Sequence, residues 1–345
     1  MSESRAARRA QLRALLATQP RIQLALLPTP LEPLPRLSAA LGGPTIYVKR
    51  DDLTGMAFGG NKTRQLEFVL ADLLRHKPEV LVTGANIQSN WCRQSAAAAA
   101  RLGIPIVLVL RNTEMQEIQG NVLLDYWLGA EIRFTSEPDM TVVMRDELDR
   151  VVEELRAEGK RAFKIDPWAP CVSLSYVDML AELDQQCEEQ RIEPTRIWLA
   201  AAGPTQSGME LATKMLGWDV DITGIAPLTW TGAGLPELTA NAANRAAELL
   251  GVETRVAPAD VDNRDRYIGP GYARPSVESL EAMRLAARTD ALLLDPVYTS
   301  KAMAGLIDAV RTGELTSRDT VIFVHTGGLP AVFAYRDTIL EMSRG

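Results

Sequence analysis

Histidine is nearly absent from this chain: among 345 residues only His76 and His325 occur. Chemistry built on paired imidazoles is therefore excluded, and acid–base work must fall to other side chains. A Ser-His-Asp site would have to use His325, and no Gly-x-Ser-x-Gly turn accompanies it. His76 sits in Arg75-His76-Lys77-Pro78, which reads as an exposed helix end. Cysteine is equally sparse. Cys92, Cys171 and Cys187 form an odd, scattered set without metal-ligand spacing, so neither a disulfide framework nor a metal site is expected. An excess of positive charge is also missing. The formal net charge is -7, which argues against nucleic acid as a partner. No apolar run is long enough to span a bilayer. The basic run Arg5 to Arg9 is followed by Leu12, Leu15 and Leu16 at helical spacing, and reads as a surface helix rather than a targeting peptide. A cytoplasmic protein is expected.

What the chain does have is short apolar runs alternating with helical patterns. Strands are expected at 46–48, 80–82, 106–110, 132–134, 196–199, 222–225, 291–294 and 321–324. Helices are expected between them, for example over 62–74, 95–102, 140–157 and 302–310. The alternation predicts an α/β fold with parallel or mostly parallel sheets. The runs are continuously apolar, as in strands covered by helices on both faces. The proline-rich stretch 27–35 reads as extended. Chain length suggests two lobes, with a crossing near Pro167 to Pro170.

Chemistry gathers where strands feed helices, the place at which ligands bind in open sheets. Phe58-Gly59-Gly60-Asn61-Lys62 puts a lysine at a glycine-rich helix entry. A lysine that is desolvated there can lose its proton near neutral pH and form a Schiff base with pyridoxal phosphate. A solvated lysine on a first turn is the plainer alternative. Gln88-Ser89-Asn90 follows a strand and opens a helix, as either a carboxylate site or an ordinary cap. Gly203-Pro204-Thr205-Gln206 makes a turn of the kind that cradles a phosphate, although Pro204 has no N–H to offer. Asp295 to Lys301 and His325 to Gly328 make two further turns of this type.

Taken in order, Lys49-Arg50-Asp51-Asp52, Gly59-Gly60-Asn61-Lys62, Gln88-Ser89-Asn90, Asp295-Pro296-Val297-Tyr298-Thr299 and His325-Thr326-Gly327-Gly328 resemble one family from Leu27 to Tyr335. It is the pyridoxal-phosphate enzymes related to D-cysteine desulfhydrase and 1-aminocyclopropane-1-carboxylate (ACC) deaminase. The resemblance implies the two-lobed tryptophan-synthase-β-like fold (fold type II). It also implies a large cofactor domain of residues 1–52 plus 171–345, a small domain of 53–170, and a homodimer. Lys62 would carry the cofactor and move the substrate's Cα proton. Asn61 and Asn90 would lie at the ring, Asn90 on its 3-oxygen. Gly203, Pro204, Thr205 and Gln206 would hold the phosphate, and Thr299 would face the pyridine nitrogen. Ser89 would meet the substrate carboxylate and share in proton transfer. Gln88, Trp91, Cys171, Tyr272 and Tyr298 would line the substrate pocket, the two tyrosines in catalytic positions.

Thr299 discriminates within the family. ACC deaminases carry glutamate there, and a neutral hydroxyl supports a charged ring nitrogen less well. Threonine therefore favours β-elimination over ring opening. The expected activity is deamination of D-cysteine or a related β-substituted alanine to a keto acid and ammonia. ACC deaminase, L-cysteate sulfo-lyase and a β-replacement synthase remain alternatives, as does a cofactor-binding protein with little activity. A sulfo-lyase would need cationic contacts for the sulfonate, and none stands out in the sequence. Trp91, Cys92, Pro204 and Ala169-Pro170-Cys171 depart from the family pattern. Trp91 either narrows the pocket or packs beneath it.

Overall fold

A computed structural model describes residues 4–112, 117–230 and 234–344. Among them, ten strands form two sheets. In chain order they are β1 (Leu31–Pro33), β2 (Thr45–Lys49), β3 (Val80–Asn86), β4 (Ile106–Arg111), β5 (Glu131–Thr135), β6 (Ala162–Lys164), β7 (Arg196–Ala200), β8 (Asp221–Ile225), β9 (Asp262–Arg264) and β10 (Thr320–Val324). The six-stranded sheet runs β1-β2-β10-β7-β8-β9, and the four-stranded sheet runs β5-β4-β3-β6. All strand pairs are parallel except β1 with β2, where Leu31 lies opposite Lys49.

Both sheets are covered on both faces, which explains their unbroken apolar strands. Ile197, Leu199, Ile322 and Val324 point into one core with helices 174–190, 204–216 and 235–250. Val48, Trp198, Val321 and Phe323 point into a second with helices 277–290 and 299–311. The four-stranded sheet packs Leu81, Leu108 and Leu110 on one side, and Val80, Val82, Val107 and Val109 on the other.

Helix Asn61–Leu74 belongs to both bodies. Its Phe68 packs into the core of the six-stranded sheet, while Leu66, Val69 and Leu70 pack into that of the four-stranded sheet. Arg64 on this helix is 1% exposed and bonds Asp51 at 3.0 Å and Glu182 at 2.9 Å. Lys49 bonds the same Glu182 at 2.5 Å, and the Tyr176 hydroxyl donates to Asp51 at 2.7 Å. A buried charged cluster thus ties the lysine-bearing helix to the end of β2.

The stretch 291–294 is a connection and not the expected strand. Leu292 and Leu294 turn inward and Leu293 is 55% exposed, a strand-like alternation without a neighbouring strand. Its polar groups find partners elsewhere: the Leu292 N–H donates to the Ala286 carbonyl, and the Leu293 carbonyl meets His325 Nε2 at 2.9 Å. Three-residue strands β1, β6 and β9 were too short to read from periodicity.

Candidate active site

The ends of β2, β3, β7 and β10 converge on the start of helix Asn61–Leu74. The turn before it is unusual: Ala57, Phe58, Gly59 and Gly60 all have positive φ, at 46°, 67°, 62° and 124°. Non-glycine residues rarely sit there, so the surrounding structure must impose the conformation. Arg93 does so with bonds to the carbonyls of Ala57 (2.6 Å) and Gly59 (3.0 Å). Gln94 adds a bond to the Gly59 carbonyl at 2.8 Å and accepts from the Thr63 hydroxyl at 2.6 Å. Thr54 Oγ1 accepts from the Gly60 N–H, and the Asn61 N–H donates to the Thr326 carbonyl at 3.0 Å. A Cβ on Gly60 would come within 2.5 Å of Gln94 Nε2, and one on Gly327 within 2.7 Å of Gly60 Cα. The two glycine turns therefore pack backbone against backbone.

Lys62 emerges from this clamp. It retains some accessible surface, yet no carboxylate pairs with it among the described residues. Burial alone pushes its amine down to about 8 from 10.5. At pH 7.5 roughly a quarter of such amines are neutral, against about one in a thousand at the ordinary value. We expect the rate at which the apo-protein takes up pyridoxal phosphate covalently to climb about tenfold per pH unit below 8 and flatten above it. A rate still climbing between pH 9 and 10 would contradict the assignment.

Several groups on the neighbouring turns and helix starts keep free valences. Asn90 Oδ1 accepts from Asn121 Nδ2 at 3.0 Å, which leaves the Asn90 amide N–H groups without a partner among the described residues. Ser89 caps its helix by accepting from the Cys92 N–H at 3.2 Å, leaving its hydroxyl proton free to donate. Thr205 Oγ1 accepts from Asn61 (3.1 Å) and Gln65 (3.2 Å), so its proton too is available. These bonds join the phosphate-type turn directly to the lysine helix. Gly203, with φ 123°, lies against the Trp168 ring, which a Cβ would strike. Pro204 occupies the first helical position, where a missing N–H costs nothing. The Thr205 and Gln206 N–H groups behind it have no intrahelical acceptor. Anion donors thus remain, despite the proline.

Thr299 is fully buried and locked to Asp295. Its hydroxyl donates to Asp295 Oδ1 at 2.7 Å and accepts from the Asp295 N–H at 2.8 Å. Asp295 also accepts from the N–H groups of Val297, Tyr298 and Thr299. Tyr298 and Tyr272 meet hydroxyl to hydroxyl at 2.6 Å with edge-on rings. Burial holds both phenols above their ordinary value, Tyr298 well above it. Lys301, wholly buried, donates to the carbonyls of Pro227, Ile268 and Gly271, pinning the loop that carries Tyr272.

Two sequence expectations, Trp91 and Cys171, need correction, and those for Gln206 and Gln88 are narrowed. Trp91 is in the core under β3, its Nε1–H donating to Thr83 at 2.9 Å, so it packs beneath the site and does not line it. Cys171 packs where two cores meet, and burial pushes its thiol up to about 11. The Gln206 side chain turns away to Glu210, the Asp262 carbonyl and Asn263, leaving only its backbone for an anion. Gln88 borders the cleft, but its amide is committed to the Gln119 carbonyl and the Asn121 N–H. His325 has no free nitrogen, since Nδ1 accepts from Gly327 N–H and Nε2 faces Leu293. Asn121, Arg93, Gln94 and Asp295 escaped the residue-by-residue reading. Their roles are to hold other groups, and nothing local in the sequence marks that.

An unpaired buried amine, an amide donor and a helix-start anion cradle fit a phosphorylated aldehyde cofactor. The family model described as pyridoxal-phosphate dependent enzyme matches residues 22–327, and the chain belongs to that family. Its cofactor is pyridoxal 5'-phosphate. D-cysteine desulfhydrases of Salmonella newport (strain SL254) and Salmonella typhi are each 37% identical over 326 residues, covering 92% of this chain and 96% of theirs. A crystal structure of an ACC deaminase homologue superposes with a TM-score of 0.87 at 36% identity, covering 96% of this chain and 98% of that one. The processed form of threonine deaminase isoform 2 from Solanum lycopersicum shares the fold, with a TM-score of 0.67 at 15% identity over 97% of this chain and 88% of that one. No helix among the described residues is long and apolar enough to cross a membrane.

Proposed function

We propose that this chain deaminates a small α-amino acid by β-elimination, with D-cysteine or a related β-substituted alanine as the substrate class. The observation that carries the reading is the buried Lys62 amine, without a carboxylate partner among the described residues, held on a strained glycine turn whose next residue, Asn61, bonds Thr205 of the phosphate-type turn. Its fit to the curated D-cysteine desulfhydrases over nearly the whole chain supports the substrate class.

Lys62 would hold the cofactor, with Asn90, the Gly203–Gln206 backbone and the Thr205 hydroxyl around it. Bound there, pyridoxal phosphate supplies an electron sink for the substrate's Cα. The Ser89 hydroxyl binds the substrate carboxylate. The Lys62 amine, neutral near pH 8, takes the Cα proton and the Cβ substituent departs with its bonding pair. For cysteine the balance is amino acid plus water giving pyruvate, hydrogen sulfide and ammonia. The Tyr272–Tyr298 pair positions a proton beside the reacting carbons. A Y298F variant is expected to lose about 10²-fold in kcat, read by keto-acid release, with the cofactor's visible absorbance retained. Loss of absorbance instead would make Tyr298 a cofactor-holding group.

The similarity to an ACC deaminase homologue keeps ring opening as the second reading. Thr299 weighs against it, since its hydroxyl is neutral and its proton already engaged by Asp295. A panel of D- and L-amino acids with ACC, assayed for keto acid and ammonia, separates the readings. Ammonia and 2-oxobutyrate from ACC alone would overturn elimination, and a new amino acid formed with an added thiol would indicate β-replacement. A homodimer in the cytoplasm belongs to the same reading by resemblance, and sedimentation of the loaded protein tests the dimer.

A further inference from the structure

Beside Gln88 and Tyr272 opens a cleft of about 70 Å³, and Arg111 lies on its wall. Arg111 stands at the carboxyl end of β4, next to the end of β3. It is half-buried, and no carboxylate pairs with it among the described residues. Its guanidinium makes two bonds, from Nε to Asn86 Oδ1 at 2.7 Å and from one terminal nitrogen to the Pro138 carbonyl. A guanidinium carries five N–H donors, so three remain. Most other described arginines that are half-buried meet a carboxylate, as Arg50, Arg133 and Arg196 do. Arg111 meets none among the described residues, and it lines the cleft that Tyr272 also lines. Arg274 borders the same cleft from the other side.

Resting on the β-elimination reading, the geometry points to Arg111 as the residue that selects substrates carrying an anionic oxyacid group on Cβ. A planar guanidinium with free donors matches such a group bidentately, which a neutral thiol could not exploit. The same guanidinium favours departure of that group as an anion, because charge grows on the leaving oxyacid as the Cβ bond breaks. For a sulfonate the balance is cysteate plus water giving pyruvate, ammonium and bisulfite. The Cα proton goes to Lys62, and the Cβ–S electron pair leaves with sulfur.

The test uses the cofactor-loaded protein and its R111Q and R111K variants. Two substrates with anionic groups, cysteate and O-phosphoserine, are compared in both stereoisomers with β-chloroalanine and cysteine. Aspartate and alanine have no suitable leaving group and report binding through the cofactor's visible band alone. The expected result is that the anionic substrates exceed the neutral ones in kcat/KM and aspartate binds tighter than alanine. R111Q should lower the anionic-to-neutral ratio about 10- to 100-fold, chiefly through KM, with partial recovery in R111K. A role limited to holding Asn86 would depress both substrate types together and leave the ratio unchanged. An unchanged ratio, or alanine binding as tightly as aspartate, overturns the inference while turnover of β-chloroalanine leaves the lyase reading intact. Absence of keto acid from every substrate overturns the lyase reading, and the aspartate-to-alanine comparison still decides the role of Arg111.

Discussion

Replacing Lys62 with alanine is expected to abolish the covalent cofactor link and turnover together, a loss of at least about 10³-fold in kcat. The size follows from the site's composition. His325 is engaged at both nitrogens, and the thiols of Cys92 and Cys171 are pushed up by burial, so none of these replaces the amine that would hold the cofactor. Lys301 is the other buried lysine pushed down to about 8, but its amine already donates to three carbonyls. The fold should survive, because the Lys62 amine has no bonding partner among the described residues and its removal takes an uncompensated amine out of the interior. Thermal unfolding of the apo-proteins checks that point, with K62A at least as stable as the parent. Retained turnover in K62A would move the chemistry to another residue.

The largest effect on stability is expected for R64L, a loss of about 3–5 kcal/mol. Leucine fills much of the volume but leaves Asp51 and Glu182 in the interior with only Lys49 as a counter-charge. Burial would raise Asp51, yet Arg64 and Lys49 outweigh it and hold the carboxyl below 3.8 in the folded protein. Its contribution is therefore present above the unfolded value and is lost as pH falls through the folded one. Without Arg64 the folded carboxyl rises, so the unfolded state loses its advantage in binding the proton and protonation in the folded state relieves the unpaired charge. The R64L deficit should thus be largest near pH 7 and shrink towards pH 5. Denaturant midpoints at the two pH values measure it. An equal deficit at both would mean that packing, not charge, is the main contribution of Arg64.

The fold was legible where apolar runs were long enough to carry a period. The seven runs at 46–48, 80–82, 106–110, 132–134, 196–199, 222–225 and 321–324 all lie in strands, most of them because they are buried on both faces and need no alternation, whereas 132–134 lies in the half-exposed edge strand β5. The run 291–294 misled for the same reason: three leucines in a row look like a buried strand, and only the absence of a neighbour makes it a connection. The site was legible where a residue type has few other uses, as with a lysine after two glycines or a serine opening a helix. It was not legible where function depends on which way a side chain turns. Trp91 is one residue from Asn90 yet points into the core, a rotation of about 100° around the helix. Gln206 is one residue from Thr205 yet points to β9. Arg111 ends an apolar strand, where nothing local marks a role, and only the approach of the loop carrying Tyr272 turns it into a cleft wall.

The proposed chemistry depends on where the cofactor is attached. Borohydride reduction of the pyridoxal-phosphate-loaded protein, followed by proteolysis and mass spectrometry, locates the attachment directly. The account predicts one phosphopyridoxyl group per chain, on the peptide containing Gly59-Gly60-Asn61-Lys62. The same group on Lys301 or any other lysine, or no stable adduct in a cofactor-saturated sample, would contradict it.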